Sequence, residues 1–233
     1  MKKLRLHSAL LLIALACRGE DRARPAKDSI AQASRGPDSS AATVARFREG
    51  SIIVFAGTSL TAGLGLDPDS AYPQLIQRKI DSAGLKFEVV NAGVSGETSA
   101  GLLRRLPWLL REPFEVLVIE TGANDGLRGI PIATMDSNIQ SVIDRVRTAR
   151  RHAEIVLIQM EAPPNLGRGY TQGFHATFPA VAKRNNIKLI PFLLDSVAGI
   201  RRLNQGDGIH PNEEGERIVA RNVWRALEPI LRQ

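Results

Sequence analysis

Between residue 50 and its end the chain predicts a three-layer α/β domain built on a parallel sheet, and three observations carry that prediction. Five short apolar runs recur, at 52–55, 87–90, 116–119, 155–158 and 187–191. Stretches of helical length alternate with them, at 70–83, 98–111, 133–151, 170–185 and 212–231. Several runs are continuous rather than alternating in polarity, which is the mark of strands covered by helices on both faces. Strands alternating with helices in this way fold into a sheet with a helical layer on each side.

Ile52-Ile53-Val54-Phe55 opens the sheet, and Phe87-Glu88-Val89-Val90 supplies a second strand after the first helix. Val116-Leu117-Val118-Ile119 and Ile155-Val156-Leu157-Ile158 are apolar throughout. The fifth run, 187–191, ends at Pro191. The last helix is expected to begin with Pro211 and then Glu213 and Glu214, acidic side chains that suit the positive end of a helix. No internal repeat interrupts the pattern.

The first 49 residues read differently. Lys2, Lys3 and Arg5 precede an uncharged, Leu-rich run at 8–16, the layout of an export signal. That run is too short to span a bilayer, which takes about 20 apolar residues. Ala14-Leu15-Ala16 then leads into Cys17, the only cysteine of the chain. A lone cysteine directly after such a run resembles a bacterial lipobox, although Ala14 stands where Leu is usual. The expectation is a signal peptide over 1–16, a lipid on Cys17, and a protein held at the cell envelope or in the periplasm. Residues 17–49 are rich in Arg, Asp, Ser, Ala and Pro with few large apolar side chains, and read as a flexible linker. The folded domain is expected over 50–233.

The charge of the chain, +7 from 31 basic and 24 acidic residues, is placed unevenly. Ten of the bases and five of the acids precede residue 50, which leaves 21 against 19 in the domain. So balanced a body carries no phosphate-binding footprint, and nucleic acid is not an expected partner. One cysteine also excludes a disulfide framework and a thiolate metal cage.

In an open α/β sheet, ligands bind beyond the carboxyl ends of the strands. Gly57-Thr58-Ser59-Leu60-Thr61-Ala62-Gly63 comes after the first strand, and Asn91-Ala92-Gly93-Val94-Ser95-Gly96-Glu97-Thr98 after the second. Thr121-Gly122-Ala123-Asn124-Asp125-Gly126 comes after the third. Glu161-Ala162-Pro163-Pro164-Asn165 comes after the fourth, and the loop past the fifth reaches Gly206-Asp207-Gly208-Ile209-His210-Pro211. Each block alone reads as a turn or a cap, but their order around one rim meets the needs of acyl transfer. Ser59 offers a hydroxyl, His210 a base to activate it, and Asp207 an acceptor to fix the imidazole tautomer. The backbone N–H groups of Ser59 and Gly96 and the amide of Asn124 are candidate donors to an oxyanion.

These four ordered blocks resemble the SGNH hydrolases, also called the GDSL esterase/lipase superfamily, and within it the bacterial arylesterase, thioesterase I and lysophospholipase group. The likeness runs over about residues 50–231. It implies a flavodoxin-like α/β/α fold with a five-stranded parallel sheet. It also implies Ser59 as nucleophile, Asp207 and His210 as its partners, and Ser59, Gly96 and Asn124 as the oxyanion hole. Thr58 departs from the family, which usually has Asp before the serine; that puts the support of the loop in question, not the nucleophile. Small-molecule or lipid esters are the expected substrates, with no cofactor and no metal. Two rivals remain: a carbohydrate O-deacetylase of the same superfamily, and a binding lipoprotein with a dead site.

Other candidates are weaker. His152, after Arg150-Arg151, reads as an exposed helix end, and His175 as a structural or exposed residue of a helix that would border the site. Gly63-Leu64-Gly65 lacks the rest of a dinucleotide fingerprint. Glu120, Asp125 and Asp195 have no metal-ligand spacing, and Trp108 and Trp224 read as packing residues. The stretch 163–170 is either a substrate-facing loop or a plain connection.

Overall fold

Five parallel strands run in the order β2-β1-β3-β4-β5 in the computed structural model, which describes residues 47–233. They are β1 (Ser51–Gly57), β2 (Phe87–Gly93), β3 (Val116–Ile119), β4 (Glu154–Ile158) and β5 (Lys188–Ile190). The helices are α1 (Ser59–Ala62), α2 (Tyr72–Ser82), α3 (Ser99–Leu109), α4 (Ala123–Leu127), α5 (Ile132–Ala149), α6 (Arg168–Asn185) and α7 (Glu213–Leu231). The signal segment, Cys17 and all but the last residues of the linker lie outside the described residues.

The centre of the sheet is buried because its strands leave no polar face, whereas the edge strands β2 and β5 expose Glu88 and Lys188. All four residues of β3 are buried, as are Ile155, Val156, Leu157 and Ile158 of β4. Helix α2 packs with α7, while α3 packs with α5 and α5 with α6. Each helix offers an apolar stripe, such as Met135, Ile139, Val142, Ile143 and Val146 on α5. Removing one such side chain from water contributes roughly 1.5–3 kcal/mol, so the sheet and its two covering layers form as a unit.

Five helices begin and end within a few residues of their sequence-predicted bounds. Helices α1 and α4, of 4 and 5 residues, have no counterpart in the predicted elements. They are too short to show a period of their own and are set by turn chemistry after β1 and β3. Asn212, not Pro211, caps α7: its Oδ1 accepts the N–H groups of Glu214 at 3.0 Å and Gly215 at 3.1 Å. Trp108 corrects the packing expectation, being 62% exposed. The buried stripe of α3 is Leu102, Leu106 and Leu109, and Trp108 points away from it. Trp224 does pack against the core.

The strand order makes a switch point. From β1 the chain crosses to β2 on one side, then returns to β3 on the other, which opens a crevice beyond the carboxyl ends of β1 and β3. Register brings these ends level, with Gly57 beside Gly93 and Ala56 beside Ile119.

Candidate active site

Ser59 leaves β1 as the first residue of α1. Thr58 caps that helix in extended conformation, with φ −98° and ψ −152°. The turn is held from below by Glu120, the first residue past β3, which is 1% exposed. Its Oε2 accepts the Thr58 N–H at 2.6 Å, the Thr58 hydroxyl at 2.9 Å and the Thr61 hydroxyl at 2.9 Å. The Thr61 Oγ1 is also 2.8 Å from the Tyr72 hydroxyl. Burial raises the pKa of Glu120 above the ordinary carboxylate value, and these donors pull the other way. Gly57 is required by this packing, since a Cβ there would lie 1.9 Å from Thr61 Oγ1 and 2.7 Å from Glu120 Oε2.

His210 arrives from the loop after β5, half-buried, and meets the serine. Its Nε2 lies 2.8 Å from Ser59 Oγ, and its Nδ1 lies 2.6 Å from Asp207 Oδ2. With Nδ1 donating to the carboxylate, Nε2 presents a lone pair to the hydroxyl proton. Asp207 also accepts the N–H groups of Ile209 at 2.9 Å and His210 at 3.0 Å through Oδ1. The bond from His210, followed by these two, lowers its pKa to about 2. It therefore stays ionised wherever an imidazole can act as a base. Gln205 stitches this loop to the segment after α1, donating to the carbonyls of Leu64 at 2.7 Å and Pro211 at 2.9 Å.

Gly96 and Asn124 lie on two further loops at this rim. The loop after β2 rests on β1 through Val94 N–H to Gly57 O at 2.8 Å. Gly96 lies in this loop at φ +77°. One Asn124 N–H donates to Glu97 O at 2.9 Å, next to the Gly96 peptide, which leaves the amide's second N–H for another acceptor. Asp125 fixes α4 by accepting the Ser99 N–H at 2.8 Å and the Ser99 hydroxyl at 2.5 Å. Gly122 starts this helix at φ +102°, where a Cβ would sit 3.0 Å from Met135 S and 3.1 Å from the Phe178 ring. Arg105 holds Glu97 through two bonds of 2.7 Å and also donates to Ala92 O at 2.8 Å.

A largely apolar cleft of about 480 Å³ opens beside the serine, in the size range of small-molecule sites. Its lining includes Leu60, Ala123 and Ile209, the sequence neighbours of Ser59, Asn124 and His210. Pro163 and Pro164 also line it, while Tyr170 lies in α6 with its hydroxyl on Ile130 O at 2.7 Å. So the first part of 163–170 faces the cleft and the last part does not. His152 is exposed, as expected. His175, exposed on α6, borders the site through a 2.7 Å bond from Nδ1 to Glu161 Oε1. A cleft of similar volume, about 470 Å³, is lined by Phe47, Lys86, Leu231 and neighbours, none of them a site residue.

All five sequence-predicted site residues in the described region, Ser59, Gly96, Asn124, Asp207 and His210, thus belong to one rim of the sheet. The supports Glu120, Gln205, Arg105 and Asp125 were not legible as such. Glu120 carried one signal, a lone acid directly after an apolar strand. The arrangement can hold a hydroxyl against a base, keep that base in one tautomer, and offer N–H donors beside it.

The model of the GDSL-like lipase/acylhydrolase family matches residues 55–218 of this chain. The chain is 39% identical over 180 residues to esterase TesA of Pseudomonas aeruginosa, covering 77% of this chain and 89% of that protein. It is 37% identical over 181 residues to thioesterase 1/protease 1/lysophospholipase L1 of Escherichia coli K12, covering 77% of this chain and 84% of that one. The solved psychrotrophic esterase EstA from Pseudoalteromonas superposes with a TM-score of 0.73 at 33% identity, covering 78% of this chain and 99% of that chain.

Proposed function

As a member of the GDSL-like lipase/acylhydrolase family, the chain is an ester-hydrolysing enzyme, and we propose that it works through an acyl-enzyme on Ser59. The observation that carries this reading is His210 bridging Ser59 and Asp207 at 2.8 and 2.6 Å. In the first half-reaction Ser59 Oγ attacks the carbonyl carbon as Nε2 of His210 takes its proton. The negative oxygen is met by the N–H groups of Ser59 and Gly96 and the Asn124 amide. The Ser59 N–H suits this task because the first turn of a helix gives it no intrahelical acceptor. The bond to the alcohol or thiol then breaks, and that leaving group takes the proton from Nε2. In the second half-reaction water attacks the acyl-serine, His210 accepts and returns a proton, and the acid departs. Asp207, ionised throughout, stabilises the imidazolium in both halves.

Aryl esters, lysophospholipids and thioesters are the proposed substrates, with the acyl chain in the apolar cleft beside Leu60. A fluorophosphonate should label wild type at Ser59 and leave Ser59→Ala unlabelled. Nitrophenyl esters from acetyl to palmitoyl, with acetylated sugars alongside, should be hydrolysed by wild type only, with the sugars poor. Folded wild type that resists the probe and turns over no ester overturns the reading.

The N-terminal sequence supports export, with a lipid on Cys17 holding the enzyme at the cell envelope. Expressed in a bacterium that processes lipoproteins, the chain should take up labelled fatty acid and partition into detergent. Cys17→Ala should do neither. A soluble native protein with an unmodified residue 17 as its N-terminus overturns the anchor.

A further inference from the structure

The cleft beside Ser59 carries a single charged side chain among its lining residues. Leu60, Met160, Phe192, Leu194 and Ile209 make apolar wall, and Glu161 stands among them. Two neighbours fix its carboxylate. Oε1 lies 2.7 Å from His175 Nδ1 and accepts from Gln159 Nε2 at 3.2 Å. Its side chain is 32% exposed, and these two bonds hold it at the cleft wall. A carboxylate fixed at an apolar wall acts on whatever occupies the cleft, because a unit charge is still felt over several ångströms through a partly hydrated gap.

We propose that Glu161 is a specificity-determining residue of the acyl site. It makes the cleft favour acyl chains with a neutral or cationic far end and discriminate against chains ending in a carboxylate. This deepens the esterase reading and rests on it, since the acyl chain must enter this cleft. Leu60, Ala123 and Ile209 support that placement, because they join the cleft wall to the serine, the amide and the imidazole. The carboxylate does no chemistry; it sets which substrates approach.

Three 4-nitrophenyl esters of matched length test the idea: heptanoate, the half-ester of adipate, and 6-(trimethylammonio)hexanoate. Each rate is divided by the ester's own alkaline hydrolysis rate, and kcat/KM is read as ratios within one protein. Wild type should prefer the cationic over the anionic ester. Glu161→Gln should shrink that cation-to-anion ratio about five- to tenfold, the size of one unit charge acting over several ångströms in a wet cleft. Glu161→Arg should reverse the order, with thermal melts confirming that both variants fold. An unchanged ratio in Glu161→Gln, or an equal fall on all three esters, overturns the proposal. Should wild type hydrolyse none of the three, or Ser59→Ala hydrolyse them as well as wild type, the esterase reading itself fails and takes this one with it.

Discussion

Ser59 and His210 meet in one hydrogen bond but are held by opposite means. The serine sits on a buried turn whose supports come from far along the chain: Glu120 lies 62 residues from Thr58 and gathers three bonds of 2.6–2.9 Å. The histidine sits on a loop whose main support is local. Asp207, three residues earlier, binds its ring and its backbone, and is itself 45% exposed. The serine is thus positioned by the core, and the imidazole by its own sequence. Damage to the first should reach stability and turnover together, whereas damage to the second should reach turnover alone.

The largest effects belong to the reacting pair. Ser59→Ala and His210→Ala should each lower kcat by about 10⁶-fold, and the double variant little more, because the two act as a unit. Asp207→Asn should cost about 10⁴-fold by favouring the wrong tautomer. Its melting temperature should fall by only a few degrees, since the side chain is partly exposed and Asn keeps an Oδ1 acceptor for the N–H groups of Ile209 and His210. A large loss of stability in Asp207→Asn would break the contrast between the two halves.

Asn124→Ala comes next, with kcat down roughly 10²–10³-fold and KM nearly unchanged, the signature of a donor that acts once charge develops. A rise in KM at constant kcat would move Asn124 from transition-state support to ground-state binding.

On the nucleophile side, Glu120→Ala should leave the buried Thr58 N–H without an acceptor. We expect a loss of about 1–3 kcal/mol in urea unfolding and a fall in kcat of about tenfold. Glu120→Gln should recover most of both, because its oxygen can occupy the Oε2 position. Thr58→Asp would set a second carboxyl against Glu120, and the two would have to share a proton. That variant should fold near pH 5 and lose about 1–3 kcal/mol by pH 8. A flat pH profile would show that Glu120 does not face position 58.

The smallest effect joins the two halves. Glu216, in the first turn of α7, accepts the Tyr72 N–H at 2.8 Å, and the Tyr72 hydroxyl reaches Thr61 on the nucleophile side. Burial raises Glu216 from 4.5 to about 8. Between those values the native state holds a proton that the unfolded chain has released, so stability falls as pH rises. The contribution is whole below pH 4.5 and is lost on passing through about 8. Glu216→Gln should flatten that slope and melt a few degrees above wild type at pH 8. Equal melting at pH 5 and pH 8 in wild type would remove Glu216 as the cause.

The same contrast explains how much was legible. The central strands announced themselves because parallel strands covered on both faces are apolar throughout, as Val116-Leu117-Val118-Ile119 is. Asp207 and His210 were legible as a pair because three residues of spacing suffice to bring carboxylate and ring together. Ser59, Gly96 and Asn124 were found by position, each coming after its own strand. Trp108 misled, because an aromatic on an amphipathic helix reads as core until the burial stripe is fixed to Leu102, Leu106 and Leu109.

By itself, then, the sequence determined the strands, the long helices and the roster of residues on the carboxyl rim, since these depend on periodicity and on the residues directly after each strand. Only the tertiary structure decided that β3 lies beside β1, and hence that Glu120 reaches under Thr58. The same folding brought Gln205 to Leu64, 141 residues away, and set Glu161 in the wall of the cleft. Such contacts join residues far apart in the chain, and no local preference encodes them. They exist because burying the sheet fixes where every loop at its edge must stand.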